Sequence, residues 1–188
     1  MNKLEIRKVV LEKRYSMSTQ DCFNISEQIK QLFLKHFDID NKIIHVYLPI
    51  ISKNEIDTHN IINHLKKNNC KIVLSKSNFK NFTLKNYIWD SSTILNVNKY
   101  GISEPQNGKE ITNKEIDFVI VPLVSFDIEG NRLGYGKGFY DRFMSELSPS
   151  CIKIGLSHFE ALEDLLPIDS KDIRLDYCVS PTRVYTFN

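Results

Sequence analysis

Residues 117–124, DFVIVPLV, set the strongest limit on the fold, because every position after the aspartate is apolar. A half-buried strand alternates apolar and polar residues, whereas an unbroken apolar run rich in β-branched side chains predicts a strand covered on both faces. Such strands belong to parallel sheets with helices packed on each side. Residues 42–48 (KIIHVYL) have the same character and end at Pro49. A helical pattern follows, with Ile61, Ile62 and Leu65 facing inward behind a cap at Asp57 or Thr58, and then a second strand at 71–74. Strand, helix, strand in this order is a βαβ unit.

The rest of the chain fits that frame. Residues 3–14 read as an opening helix, and residues 16–21 offer capping side chains. Beyond them Cys22, Ile25, Ile29, Leu32 and Phe33 recur at helical spacing, so a second helix is expected. The stretch 75–113 is polar, with short strand-like pieces at 87–89 and 94–97. A glycine-rich loop then leads to a helix with Phe139, Phe143 and Leu147 on one stripe, and strands at 152–156, 177–180 and 184–187 complete the sheet. The expected architecture is one three-layer α/β domain over residues 1–188, with a mostly parallel central sheet.

Composition narrows the function. Of 188 residues, 41% are hydrophobic, enough to build a sizeable core without disulfide or metal staples. Lys and Arg number 25 against 23 Asp and Glu, a net charge of +2, which argues against a chain built mainly to hold nucleic acid. No apolar run approaches the roughly 20 residues of a membrane helix, and the first residues lack the apolar core of an export signal. Cys22, Cys70, Cys151 and Cys178 are scattered without a CxxC pair, so they read as reduced structural thiols, and the cytoplasm is the expected compartment. The histidines show no metal-binding spacing. His45, inside an apolar strand, reads as a core histidine, and Trp89 as core rather than a stacking platform.

Chemistry concentrates in residues 126–143, FDIEGNRLGYGKGFYDRF. This segment leaves the best buried strand and opens a helix, the position where open α/β sheets bind ligands. Gly130, Gly134, Gly136 and Gly138 let the backbone approach an anion closely and aim N–H groups at it. Arg132 and Lys137 add positive charge, and Asp141 adds a hard oxygen ligand suited to Mg²⁺. The spacing is neither that of a Walker A loop nor that of the dinucleotide fingerprint. On the residues alone, Lys3, Arg7, Lys8, Lys13 and Arg14 form a solvated helix face.

The run FDIEGNRLGYGKGFYDRF closely resembles the signature of the 5-formyltetrahydrofolate cyclo-ligase family, with Phe139 in place of the first of two tyrosines. Further pieces occur in the family's order: Lys3 and Arg7, Leu48-Pro49, Glu55-Ile56-Asp57-Thr58, Gly101-Ile102-Ser103-Glu104-Pro105, and 167–172. The resemblance implies a fold like that of sugar-phosphate isomerases and CoA-transferases. It implies ATP- and Mg²⁺-dependent cyclisation of 5-formyltetrahydrofolate to 5,10-methenyltetrahydrofolate, with release of ADP and phosphate. By the same resemblance Lys3, Arg7 and the loop of Arg132, Leu133, Gly134, Tyr135, Gly136, Lys137, Gly138, Phe139 and Tyr140 hold ATP. Lys137 and Arg132 act on the transferring phosphoryl group, and Asp141 and Asp172 hold Mg²⁺. Leu48 and Glu55, with Tyr135 through Phe139, line the folate side, Glu55 accepting hydrogen bonds from the pterin. The expected partners are these small molecules, with neither nucleic acid nor membrane, and the expected state is a monomer. Two other readings of the same residues are a phosphate-ester isomerase, which needs no ATP, and a folate-binding protein without turnover.

Overall fold

The computed structural model describes residues 1–187. Helix α1 (Lys3–Tyr15) starts from a capping box: the Asn2 side chain accepts from the Leu4 and Glu5 amides, and Glu5 reaches back to the Asn2 amide. Helix α2 (Thr19–His36) starts at Ser18, whose hydroxyl accepts from the Asp21 amide. There follow β1 (Ile43–His45), a 3-10 turn (Ile51–Lys53), α3 (His59–Lys67), β2 (Lys71–Asn78) and β3 (Thr83–Ile88). Next come β4 (Leu95–Val97), β5 (Ser103–Pro105), β6 (Lys109–Glu110), β7 (Phe118–Pro122), β8 (Ser125–Phe126) and β9 (Arg132–Leu133). Helix α4 (Phe139–Ser145), β10 (Ile152–Leu156), β11 (Tyr177–Val179) and β12 (Val184–Thr186) complete the chain.

Eight strands form one sheet in the order β12-β11-β10-β7-β1-β2-β3-β6. The five central strands, β2, β1, β7, β10 and β11, are parallel. The outer strands β12, β3 and β6 run antiparallel to their neighbours, so the sheet is mixed but mostly parallel. The apolar run of β7 explains the layers. Phe118 and Ile120 join the core with Ile29 and Phe33 of α2 and Ile61, Ile62 and Leu65 of α3. Val119 and Val121 point to the other face, where Phe143 and Met144 of α4 cover them.

Two local readings differ from the sequence pattern. Helix α4 ends at Ser145, so Leu147 packs on the core from beyond the helix rather than from its stripe. Strand β2 runs on through polar residues to Asn78, because β3 folds back on it in register from Val73–Ile88 to Asn78–Thr83. For α3, Asp57 rather than the Thr58 side chain caps the helix, its carboxylate accepting from the His59 amide.

The topology locates a crevice. From β1 the chain passes to β2 on one side, and from β7 to β10 on the other, so strand order reverses between β1 and β7. Ligands of open α/β sheets sit outside the carboxyl ends of strands at such a reversal. Here those ends are His45 and Pro122.

Candidate active site

A cavity of about 620 Å³ opens at this reversal, within the range that accommodates a drug-sized ligand. It is bordered by both strand ends, by the glycine loop, by α1 and by the tip of the β2–β3 hairpin. Every residue singled out from the sequence for ATP, folate or Mg²⁺ lines it: Lys3, Arg7, Leu48, Glu55, Arg132 through Asp141, and Asp172. Residues far apart in the chain thus meet at one site.

The loop is built from beneath by Asp127, which has no solvent exposure. Its carboxylate accepts from the amides of Glu129, Asn131 and Leu166 and from the Asn131 side chain, locking the turn that leads into β9. Gly136 has φ of 89°, and a Cβ there would lie 3.2 Å from the Arg7 guanidinium carbon. Gly138 has φ of 69°, and a Cβ there would lie 2.8 Å from an Arg142 nitrogen. Both positions favour glycine because L side chains are strained in this region and the arginines fill the space.

The cations are held in distinct ways. Arg7 donates to the Gly134 carbonyl at 2.8 Å, tying α1 to the loop. Lys3 contacts Asp169 at 2.5 Å and Asp172 at 2.6 Å. Burial works against the charge of Lys3, but these two carboxylates outweigh it and raise its pKa. For Asp172 burial pushes upward, and the bond from Lys3, with the Asp169 amide, brings its pKa below the usual carboxylate value. Arg132 donates to Asp141 at 2.7 Å and also to the Ile173 carbonyl. Lys137 is exposed and makes no ion pair among the described residues, so its ammonium is the one most available to an incoming anion.

Asp141 and Asp172 line the same cavity, each already facing a cation. Among the described residues no group of three or more His, Cys, Asp or Glu could hold a metal alone. That donor set fits Mg²⁺, which is commonly held by one or two carboxylates, with water and substrate phosphates completing its shell.

Glu55 is a half-buried carboxylate held by two donors. Its Oε2 accepts from the Ile50 amide at 2.7 Å and its Oε1 from the Tyr135 hydroxyl at 2.7 Å. Burial raises its pKa, against the opposing effects of the Ile50 amide, Tyr135, Arg14 and Lys53. His45 forms part of the floor. The Ser75 hydroxyl donates to Asn86 at 2.5 Å, so His45 Nε2 must be the donor in its 2.7 Å bond to Ser75. His45 Nδ1 is buried without a partner, and burial pushes the imidazole pKa down to about 3.

Two features escaped the sequence pattern. Arg14 is not on a solvated face: it is 1% exposed, donates to the Tyr135 hydroxyl at 2.5 Å and to the Leu123 carbonyl at 3.3 Å. The helix face that docks is polar, so no apolar stripe marks it. Second, an aromatic wall comes from elements that looked like polar loops. Phe79 packs on Tyr100 at 4.2 Å between centroids and on Phe139 at 5.2 Å, and Phe82 packs on Phe139 at 5.7 Å. The isolated aromatics in SNFKNF were its only signal. Trp89 lies half-buried against the core, away from this cavity, with the Lys66 ammonium 3.8 Å over its ring. Cys151 and Cys178 are buried as expected, while Cys22 and Cys70 are half-buried.

Comparison with known proteins agrees along the chain. Residues 1–181 match the family described as the 5-formyltetrahydrofolate cyclo-ligase family. The 5-formyltetrahydrofolate cyclo-ligase of Mycoplasma pneumoniae is 30% identical over 183 residues, covering 96% of this chain and 99% of the relative. That of Escherichia coli K12 is 32% identical over 137 residues, 70% of this chain and 74% of the relative. Among solved structures, the Aquifex aeolicus 5,10-methenyltetrahydrofolate synthetase superimposes with a TM-score of 0.84 at 33% identity, covering 100% of this chain and 94% of that one. No helix among the described residues is long and apolar enough to cross a membrane.

Proposed function

The chain belongs to the 5-formyltetrahydrofolate cyclo-ligase family and is an enzyme of that class, and from this membership we propose that it converts 5-formyltetrahydrofolate and ATP to 5,10-methenyltetrahydrofolate, ADP and phosphate. The observation that carries the proposal is that one cavity is lined both by the cations Lys3, Arg7, Arg132 and Lys137 and by the half-buried acceptor Glu55 with Leu48 and an aromatic wall. One set suits phosphates, the other a flat heterocycle bearing N–H donors.

The chemistry explains why both are needed. A formamide carbon is a poor electrophile, because nitrogen donates into the carbonyl and the oxygen leaves badly. Transfer of the γ-phosphoryl group to the formyl oxygen converts that oxygen into a good leaving group and releases ADP. N10 of the same folate then attacks the formyl carbon, its proton is lost, and the oxygen departs as phosphate. Because nucleophile and electrophile belong to one molecule, holding it in a closed conformation supplies much of the acceleration. Phosphoryl transfer asks mainly for positioning and charge neutralisation.

In this reading the amides of the glycine loop and the side chains of Lys3 and Arg7 bind the phosphates. Arg132 and Lys137 neutralise charge on the transferring group. Asp141 and Asp172 would hold Mg²⁺, which supplies further neutralisation of the phosphate oxygens when bound. Glu55 accepts from the pterin amino and ring N–H groups, and Phe139 keeps the aromatic face of the tyrosine it replaces. No protein nucleophile is required.

The test mixes purified protein with 5-formyltetrahydrofolate and Mg²⁺, with and without ATP, following the methenyl chromophore and ADP together. Equal amounts of both, only when ATP is present, are expected. Folate binding with neither product would overturn the assignment and leave a binding protein; methenyl formation without ATP would overturn the ATP-coupled reaction.

A further inference from the structure

Arg14 presents a physical problem that the proposed chemistry does not use. It is a fully buried guanidinium, and none of the ion pairs among the described residues includes it. A buried charge without a counter-charge is strongly unfavourable. Its hydrogen bonds point to the compensation. Guanidinium can only donate, so in the 2.5 Å contact with Tyr135 the tyrosine oxygen is the acceptor. The Tyr135 proton is therefore free to go to Glu55, 2.7 Å away. The direction of the relay is fixed: Arg14 to Tyr135 to Glu55.

We propose that Arg14 and the Tyr135 hydroxyl are positioning residues that hold the Glu55 carboxylate as an ionised acceptor for a pair of N–H donors on the substrate, an inference that rests on the cyclo-ligase reading of the cavity. An ionised carboxylate has about four acceptor positions on its two oxygens. The Ile50 amide takes one on Oε2 and Tyr135 one on Oε1, leaving one on each oxygen. That pattern matches neighbouring amino and ring N–H groups on a pyrimidinone edge. Arg14 touches no substrate in this arrangement and acts through the tyrosine.

The surroundings of Glu55 make the role necessary. Tyr47 beyond β1, Tyr140 on α4 and Tyr135 on the glycine loop face it, with Arg14 on α1 and Lys53 on the 3-10 turn as the cations. Burial disfavours the charged carboxylate, and Arg14 opposes it. His158, close enough to feel the charge of Arg14, is kept neutral chiefly by burial, its pKa down at about 3, so it adds no competing charge near neutrality. Lys53 lies 4.3 Å over the Tyr135 ring and is half-buried, which leaves Arg14 as the fully enclosed cation of the group.

The experiment follows the Glu55 side-chain carbon by ¹³C NMR through a pH titration, the signal assigned by its loss in Glu55→Gln. The parent, Arg14→Met, Arg14→Lys and Tyr135→Phe are compared, alongside the pH profile of kcat/KM for 5-formyltetrahydrofolate. Removing a nearby positive charge raises a carboxyl pKa, so Arg14→Met is expected to move the Glu55 titration upward by about 1 pH unit. The acid limb of kcat/KM should move with it, the loss falling on KM more than on kcat, and Arg14→Lys should recover part of the shift. A folded Arg14→Met protein with an unmoved Glu55 titration overturns the proposal. If that variant does not fold, Tyr135→Phe decides alone: an upward shift supports the relay and no shift overturns it. Absence of cyclisation by the parent would sink the activity assignment, while the NMR titration would still decide the relay.

Discussion

The carboxylates and cations of the cavity differ in what their removal should do, and the difference follows from their contacts. Lys137 is exposed and unpaired among the described residues, so Lys137→Ala should leave the thermal midpoint unchanged while lowering kcat about 100-fold or more, the scale for losing one electrostatic donor. Single-turnover rates at saturating ATP, set beside a melting curve, check both halves. At this scale the sequence was most informative where charge and glycine are interleaved, because few structural needs place Arg132, Lys137 and Asp141 among so many glycines. It was silent about Arg14, whose neighbours Lys8 and Lys13 look the same in sequence. Only the tertiary approach of Tyr135 and Leu123 distinguishes it from a solvated side chain.

Among elements, α1 and β10 stand out. Lys3, Arg7 and Arg14 lie on one helix, and their bonds to Asp172, Gly134 and Tyr135 are how that helix meets the site. Its capping box thereby supports three site contacts at once. Asn2→Ala should cost about 1 kcal/mol of local stability, seen as faster amide exchange across residues 3–8, with weaker ATP binding as the linked effect. Strand β10 is sensitive in the opposite way. A Cβ on Gly155 would lie 2.6 Å from side-chain atoms of both Leu123 and Leu175, so Gly155→Ala should destabilise by about 1–3 kcal/mol through overpacking, measurable by urea unfolding. The buried strands and α2 were readable from periodicity because burial dictated their residues. The outer half of the hairpin, residues 75–86, was not, since it is paired yet solvated, and its Phe79 and Phe82 serve the cavity rather than the core.

For the molecule as a whole, acid should be destabilising from near neutrality downward. His45 and His158 are buried, and burial pushes each pKa to about 3 from an ordinary 6.5. Between those values the unfolded chain binds more protons than the folded one, so stability is present above about pH 6.5 and is lost as pH falls. Two such groups give a limiting slope of about 2.7 kcal/mol per pH unit. Glu55, whose pKa is raised, opposes this with a single proton. Urea midpoints at pH 7 and pH 5 should therefore fall markedly in the parent and much less in a His45→Asn, His158→Asn double variant. The α/β layering was legible from two apolar strands, whereas the closure of the cavity was not, because it depends on partners remote in the chain. Lys3 and Asp172 are separated by 169 positions, and Phe187 lies so close beneath Gly130 that a Cβ there would be 2.6 Å from its ring. The end of the cavity proposed to take phosphates is thus completed only when residues remote in the chain, Lys3 with Asp172 and Gly130 with Phe187, have come together. If ATP binds as proposed, a partly condensed chain would offer it nothing to hold, and nucleotide would draw the population toward the finished state by mass action, acting as a sensor of completed folding.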